Sequence, residues 1–323
     1  MLMKKKRVFS TVLVLIAVTL LAGSSAQSTE QTEEIAGEDK LLAIPGEAVF
    51  PEGVSYDAAT GNFYVGSTTN GTLYVGNING ESEMTVFSEG GADGRTAAIG
   101  TKVDDDGLLW VAGGGTGQVF VYDTADASHV ATFTTPEAES TFINDLAITE
   151  SGVYFTDSFR PTLWRANGTA SAEAEPWLDF TGTALSYGDG FNLNGIVPTE
   201  DGSDLIVVHS GEGALYRINV APQEVTLIDT GDAELTAGDG LALVDGTLYV
   251  TRNSFGEIVP VDLSNDLSTG TAGAAITSEL FSYPTTIAFT GSGFLVTNSQ
   301  FNNREGSPEL PFTIAEIPLT LED

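Results

Sequence analysis

The chain has 323 residues, 41% of them apolar and 18% charged, which is enough to bury a large core and too apolar for a disordered chain. It has no cysteine and only two histidines, His129 and His209, so disulfides, thiolate chemistry and a multi-histidine zinc site are excluded. With 12 basic against 45 acidic residues the formal net charge is −33; such a surface repels phosphate backbones and anionic lipid, so nucleic acid is not an expected partner.

At the start, Lys4, Lys5, Lys6 and Arg7 precede an apolar run over 8–22, and the small residues Gly23, Ser24, Ser25 and Ala26 follow. A charged, then apolar, then small-residue layout is that of a secretory signal peptide, which assigns residues 1–26 to that role. The apolar run falls short of the about 20 residues a spanning helix needs. No stable membrane anchor is therefore expected after cleavage, and the protein is expected to be secreted or periplasmic. Residues 27–40 are polar and acidic and read as a flexible leader, followed by a single folded domain over 41–323.

From there the chain repeats itself. An apolar strand, a turn carrying Gly or Asp, and a second strand ending in small or polar residues recur six times. The first strands fall at 52–56, 99–103, 144–148, 194–198, 239–243 and 285–289, and the second at 62–67, 108–113, 152–157, 204–209, 247–252 and 293–298. The second strands are centred on Tyr64, Trp110, Tyr154, Ile206, Tyr249 and Leu295, at steps of 46, 44, 52, 43 and 46 residues. Third strands follow in the first five units, at 71–75, 117–122, 162–165, 214–218 and 256–260. Turns such as Asp104-Asp-Asp-Gly107 and Asp245-Gly246 carry hairpin chemistry, and the mature chain shows no long amphipathic helical pattern. The period matches propeller blades of about 40–50 residues. The expected fold is all-β, a six-bladed β-propeller with four antiparallel strands per blade, its last blade closed by an N-terminal strand around 41–49.

In a propeller the first strand of each blade lines the central channel, so the first-strand starts and second-strand ends meet at one mouth. The first-strand starts are Glu52, Ile99, Asn144, Asn194, Asp239 and Thr285. Two carboxylates and two amides at equivalent places aim four oxygen donors at one axis. Buried alone the carboxylates would repel one another; a divalent cation resolves the conflict. All-oxygen ligation points to a hard cation, Ca²⁺ before Mg²⁺ because of its looser geometry. The same mouth receives Asn70, Asp157, His209, Arg252 and Asn298 from the second-strand ends, as candidate pocket residues; Asp157 could orient an Asn ligand. Trp110, Tyr154 and Tyr249 sit mid-strand and read as core.

The stretches Phe50-Pro-Glu-Gly-Val54, Ile143-Asn-Asp-Leu-Ala147, Asn194-Gly-Ile and Gly238-Asp-Gly-Leu-Ala242 resemble those of the regucalcin/gluconolactonase-like calcium propellers, a group related to diisopropyl fluorophosphatase and more distantly to the paraoxonases. The resemblance runs over essentially the whole mature chain. It implies a catalytic Ca²⁺ held by Glu52, Asn144, Asn194 and Asp239, and hydrolysis of a lactone, ester or phosphotriester. Two departures stand out. Phe142 occupies the place, two before the third-blade Asn, where lactonases of this group tend to carry an Arg for a sugar lactone. Thr285 and Thr286 stand where some phosphotriesterase and paraoxonase relatives place a His.

These readings converge on a monomeric, exported, Ca²⁺-dependent hydrolase of a small molecule, with Asp239 as catalytic base or nucleophile. The alternative is a non-catalytic propeller that binds a ligand or partner over a structural calcium; a lyase on the same scaffold is disfavoured because no acid–base histidine pair is recognisable.

Overall fold

A computed structural model of the protein describes residues 40–319. Residues 1–39 and 320–323 lie outside the described residues, and with them the expected signal peptide and all of the leader except Lys40, which begins a strand.

Six sheets are arranged as the blades of a β-propeller. Blade one runs Pro51–Asp57, Asn62–Ser67, Leu73–Asn77 and Thr85–Ser88 from the axis outward. Blades two to five repeat this order, their first strands being Thr101–Val103, Ile143–Thr149, Leu193–Pro198 and Gly238–Val244. Blade six is built from Pro284–Phe289, Gly293–Asn298 and Phe312–Pro318, and Lys40–Ile44 from the other end of the chain supplies its outer strand, antiparallel to Phe312–Pro318. Ring closure thus leaves no long inner edge unpaired.

One blade departs from the four-strand expectation. Ala172–Glu173, in the connection between the third and fourth strands of blade three, adds a short parallel strand to the outer edge of blade two at His129–Thr134. That excursion, and the loop before Leu193, account for the longest spacing in the repeat.

The apolar side chains form six clusters, one at each junction between neighbouring blades. Alternation explains why the second strands are apolar on both sides. Leu248 and Val250 pack toward blade four while Tyr249 between them packs on Phe294 of blade six, so each face of the strand has its own junction to fill. Trp110, Tyr154 and Tyr249 are buried, as their mid-strand places require.

A shared irregularity opens the first strands toward the axis. In five blades the antiparallel register slips just after the first residue, between Pro51 and Val54, Ile143 and Leu146, Leu193 and Ile196, Gly238 and Leu241, and Pro284 and Ile287. The residues freed from the ladder include Glu52, Asn144, Asn194, Asp239 and Thr285. A bulge re-aims a side chain in this way. In blade two the ladder begins only at Thr101, and Ile99 pairs through its N–H with the Ala112 carbonyl at 2.8 Å.

Consecutive blades touch at the same level. The Gly53 N–H donates to the Ile99 carbonyl at 3.1 Å, the Gly100 N–H to the Asn144 carbonyl at 2.9 Å, the Thr156 hydroxyl to the Asn194 carbonyl at 2.8 Å and the Thr285 hydroxyl to the Glu52 carbonyl at 2.9 Å. Blades four and five approach so closely that a Cβ on Gly195 would overlap the Asp239 carbonyl oxygen.

Candidate metal centre

The ladder pairs Pro51 with Ser67, Ile143 with Asp157, Leu193 with His209, Gly238 with Arg252 and Pro284 with Asn298. First-strand starts and second-strand ends therefore share one mouth, and the hairpin turns face the other.

Glu52, Asn144, Asn194 and Asp239 are all buried, between 3% and 6% exposed, a depth at which a polar side chain is expected to be hydrogen-bonded. Three of them carry an oxygen with no donor: Glu52 Oε2, Asn144 Oδ1 and Asp239 Oδ1. The rest of each side chain is held firmly. The Asn144 amide donates from Nδ2 to Ser158 Oγ at 2.9 Å, which turns its Oδ1 the other way, and Ser158 Oγ in turn donates to the Leu193 carbonyl beside Asn194 at 2.6 Å. Asp239 Oδ2 accepts from the Asn253 amide at 2.7 Å.

The carboxylates feel one another. Burial, then the charges of Asp239 and Asp145, push the Glu52 carboxyl well above the usual carboxylate range, with Lys102 opposing. Burial raises Asp239 to about 7 against the favourable hydrogen bonds from Asn253 and Asn194. Glu52 and Asp239 lie close enough for one proton to join them; with both ionised, their facing oxygens have no donor at all. Such a pair needs either a shared proton or a cation. Two carboxylates and two amides form the all-oxygen set a hard divalent cation takes, and the unpartnered oxygens fit that occupant. Among the described residues no three His, Cys, Asp or Glu side chains group as metal ligands, so a cation at this mouth would have to draw on the amides as well.

The five other sequence candidates are engaged elsewhere. Asn70 is exposed and caps its own turn, accepting from the Thr72 N–H at 3.0 Å. Asp157 does not orient Asn144, which is the work of its neighbour Ser158; its oxygens accept from the Phe142, Phe159 and Arg160 N–H groups, the Thr141 hydroxyl and Arg160 Nε. His209 Nδ1 accepts from the Glu212 N–H at 3.2 Å, which leaves Nε2 to donate to the Ser186 carbonyl at 3.2 Å. Arg252 pairs with Glu257 at 2.5 Å, donates to the Thr236 carbonyl and lies over the Phe255 ring. Asn298 accepts from the Ser282 N–H and donates to the Leu280 carbonyl and the Thr313 hydroxyl. Second strands lie one step off the axis, and these end residues tie down the mouth's loops.

Two residues that sequence reasoning passed over belong beside the site. Asp145, freed by the same bulge as Asn144, is buried and pairs with Lys102 of blade two at 3.0 Å. A hydrophilic residue directly after Asn144, where four other blades have glycine, is the signal that could have found it.

A cavity of about 1260 Å³ opens at the opposite mouth, among the hairpin turns. It is roomy and acidic, with Asp105, Asp106, Glu150, Glu200, Asp201 and Asp245 on its lining. Those carboxylates are exposed and solvated, whereas the unpartnered oxygens are buried around the other mouth. The buried, unpartnered oxygens make that mouth the candidate site.

No family model matches the chain, and no curated protein matches it in sequence. Its fold is similar to solved structures. The major allergen Mala s 1 of Malassezia sympodialis aligns with a TM-score of 0.64 at 13% identity, over 86% of this chain and 96% of that one. Virginiamycin B lyase from Staphylococcus aureus gives 0.59 at 11% identity, over 88% and 99%. Regucalcin from Agrobacterium tumefaciens, described as a calcium-binding protein, gives 0.59 at 17% identity, over 86% and 94%. At these identities the likeness is one of fold, and that fold serves enzymes and binding proteins alike.

Proposed function

We propose that this protein is an exported, Ca²⁺-dependent hydrolase of a small lactone, ester or phosphotriester, acting as a monomer at the mouth where Glu52, Asn144, Asn194 and Asp239 converge. The observation that carries the reading is the set of three buried oxygens, on Glu52, Asn144 and Asp239, that no protein group satisfies. A neighbour of similar fold described as calcium-binding supports the choice of ion. Bound Ca²⁺ would act as a Lewis acid toward the carbonyl or phosphoryl oxygen of the substrate.

The chain's own residues do the rest. Ser158 and Asn253 fix the orientations of Asn144 and Asp239. Asp239, held by one oxygen and open at the other, takes the proton of the attacking water or attacks directly. Glu52 supplies the second negative charge, and its backbone is fixed through the Thr285 hydroxyl.

One observation favours a second reading, a binding propeller with a structural cation. His209, Asp157 and Arg252 are all committed to structural partners, which leaves few proton carriers at the mouth. Turnover of a lactone and ester panel by chelated and Ca²⁺-reloaded protein separates the two: calcium-dependent hydrolysis is expected, and calorimetric Ca²⁺ uptake without any turnover would establish the binding reading instead. Export rests on residues 1–26 and is tested by the N-terminal mass of the protein recovered from the medium or periplasm.

A further inference from the structure

Three phenylalanines stand at the mouth that holds the four oxygens. Phe142, Phe159 and Phe191 pack on one another with ring centroids 5.8, 5.3 and 4.9 Å apart. Phe159 is 36% exposed and Phe191 48%, a contiguous apolar surface on a chain of net charge −33. Clustered exposed aromatic rings mark a binding surface more often than single ones do.

Each ring is tied to the segment that delivers a site residue. Phe142 precedes Asn144 by two positions and Phe159 follows Ser158, the hydroxyl that orients Asn144; the backbone N–H groups of both rings' residues donate to Asp157 Oδ1, at 2.9 and 3.0 Å. Phe191 adjoins Asn192, whose side chain donates to the Ser158, Gly188 and Gly190 carbonyls and accepts from the Gly188 N–H. Asp157 and Asn192 are therefore positioning residues for an aromatic wall that the extended connection before blade four brings to the mouth. Arg160, the basic residue next to Phe159, is paired with Asp157, so the wall itself offers apolar contact rather than counter-charge.

We propose that Phe142, Phe159 and Phe191 bind the aryl group of a neutral ester or lactone whose reacting carbonyl lies over the four oxygens. This rests on the hydrolase reading and names its substrate class. In the reaction the water oxygen bonds to the carbonyl carbon, Asp239 takes the water proton, the carbon–oxygen bond of the ester breaks, and the leaving oxygen receives that proton. Aromatic rings facing an aryl group add geometry-specific attraction to simple burial.

The test compares methyl phenylacetate with methyl acetate, which share a leaving group, on calcium-loaded wild type and on Phe159→Ser/Phe191→Ser. Phe191→Leu, which keeps apolar bulk without the ring, guards against a folding defect. For wild type the KM of the aryl ester is expected to lie about tenfold below that of the alkyl ester, and that ratio is expected to fall to about one in the double variant. Phenylacetone, which lacks the scissile oxygen, is followed in parallel by ligand-observed NMR. Equal KM values in wild type and variant, with turnover intact, overturn the wall and leave the hydrolase standing. Phenylacetone binding that the double variant loses, without turnover of either ester, upholds the wall and removes ester hydrolysis from it; absence of both binding and turnover overturns the wall and its ester chemistry together.

Discussion

Replacing Asp239 by Asn in the metal-free protein exposes the conflict that the ion is proposed to relieve. The Asp239 carboxyl ordinarily titrates at 3.8 and is raised by burial to about 7, a difference of about three pH units, or about 4 kcal/mol at 1.36 kcal/mol per unit. Because the folded value lies above the unfolded one, its stabilising contribution is complete below about pH 4 and is lost as the pH rises through about 7. Glu52, also raised and sharing the proton, acts in the same direction, so the pair titrates as a unit. Between pH 5 and pH 8 about two of those units are traversed, about 3 kcal/mol, so chelated wild type should melt lower at pH 8 than at pH 5 by about 5 °C if a domain of this size loses about 2 °C per kcal/mol. Asp239→Asn should flatten most of that slope, because the amide oxygen still accepts from Asn253. Saturating Ca²⁺ should flatten it in wild type, since two ionised carboxylates then face a cation. Melting curves by circular dichroism from pH 5 to 8.5 read this directly and stay clear of exposed turn carboxylates such as Asp266, lowered to about 2. An unchanged slope in chelated Asp239→Asn, or a wild-type slope indifferent to Ca²⁺, would refute the reasoning.

Three other outcomes are expected. Calcium affinity measured by calorimetry should strengthen as the pH rises from 5 to about 7, because the ion must displace the shared proton. Ser158→Ala should weaken Ca²⁺ binding about 10-fold to 100-fold, since Asn144 loses the acceptor that orients it, with the fold retained by circular dichroism. Gly195→Ala should destabilise the ring by about 1–3 kcal/mol in urea melts, because the new methyl meets the Asp239 carbonyl of the next blade.

The inner half of each blade was legible because its signals are local. First and second strands are apolar runs joined by turns such as Asp104-Asp-Asp-Gly107 and Asp245-Gly246, and the observed spans of the second strands match them almost residue for residue. The outer strands were silent: Thr85–Ser88 and Gly270–Ala272 are short and partly exposed, with no alternation to find. Phe312–Pro318 escaped notice for another reason. A long loop with a single 3-10 turn at Phe301–Asn303 separates it from its partner, so no hairpin turn announces it.

Equivalence of position pointed to the four inner oxygens. Asp157, His209, Arg252 and Asn298 likewise occupy equivalent places, at the ends of the second strands. There the neighbouring loops offer N–H and carbonyl groups that these side chains satisfy. The Asp145–Lys102 pair was invisible because its partners come from different blades, 43 positions apart.

The closing strand also sets an order of events during synthesis. Lys40–Ile44 leaves the ribosome among the earliest folded parts, yet its partner Phe312–Pro318 is among the last. Until that distant segment emerges, the ring stays open, with two apolar flanks and two raw sheet edges facing the surroundings. A nascent chain of this kind is a ready substrate for chaperones, and a premature stop before Phe312 would leave an open arc prone to join others edge to edge.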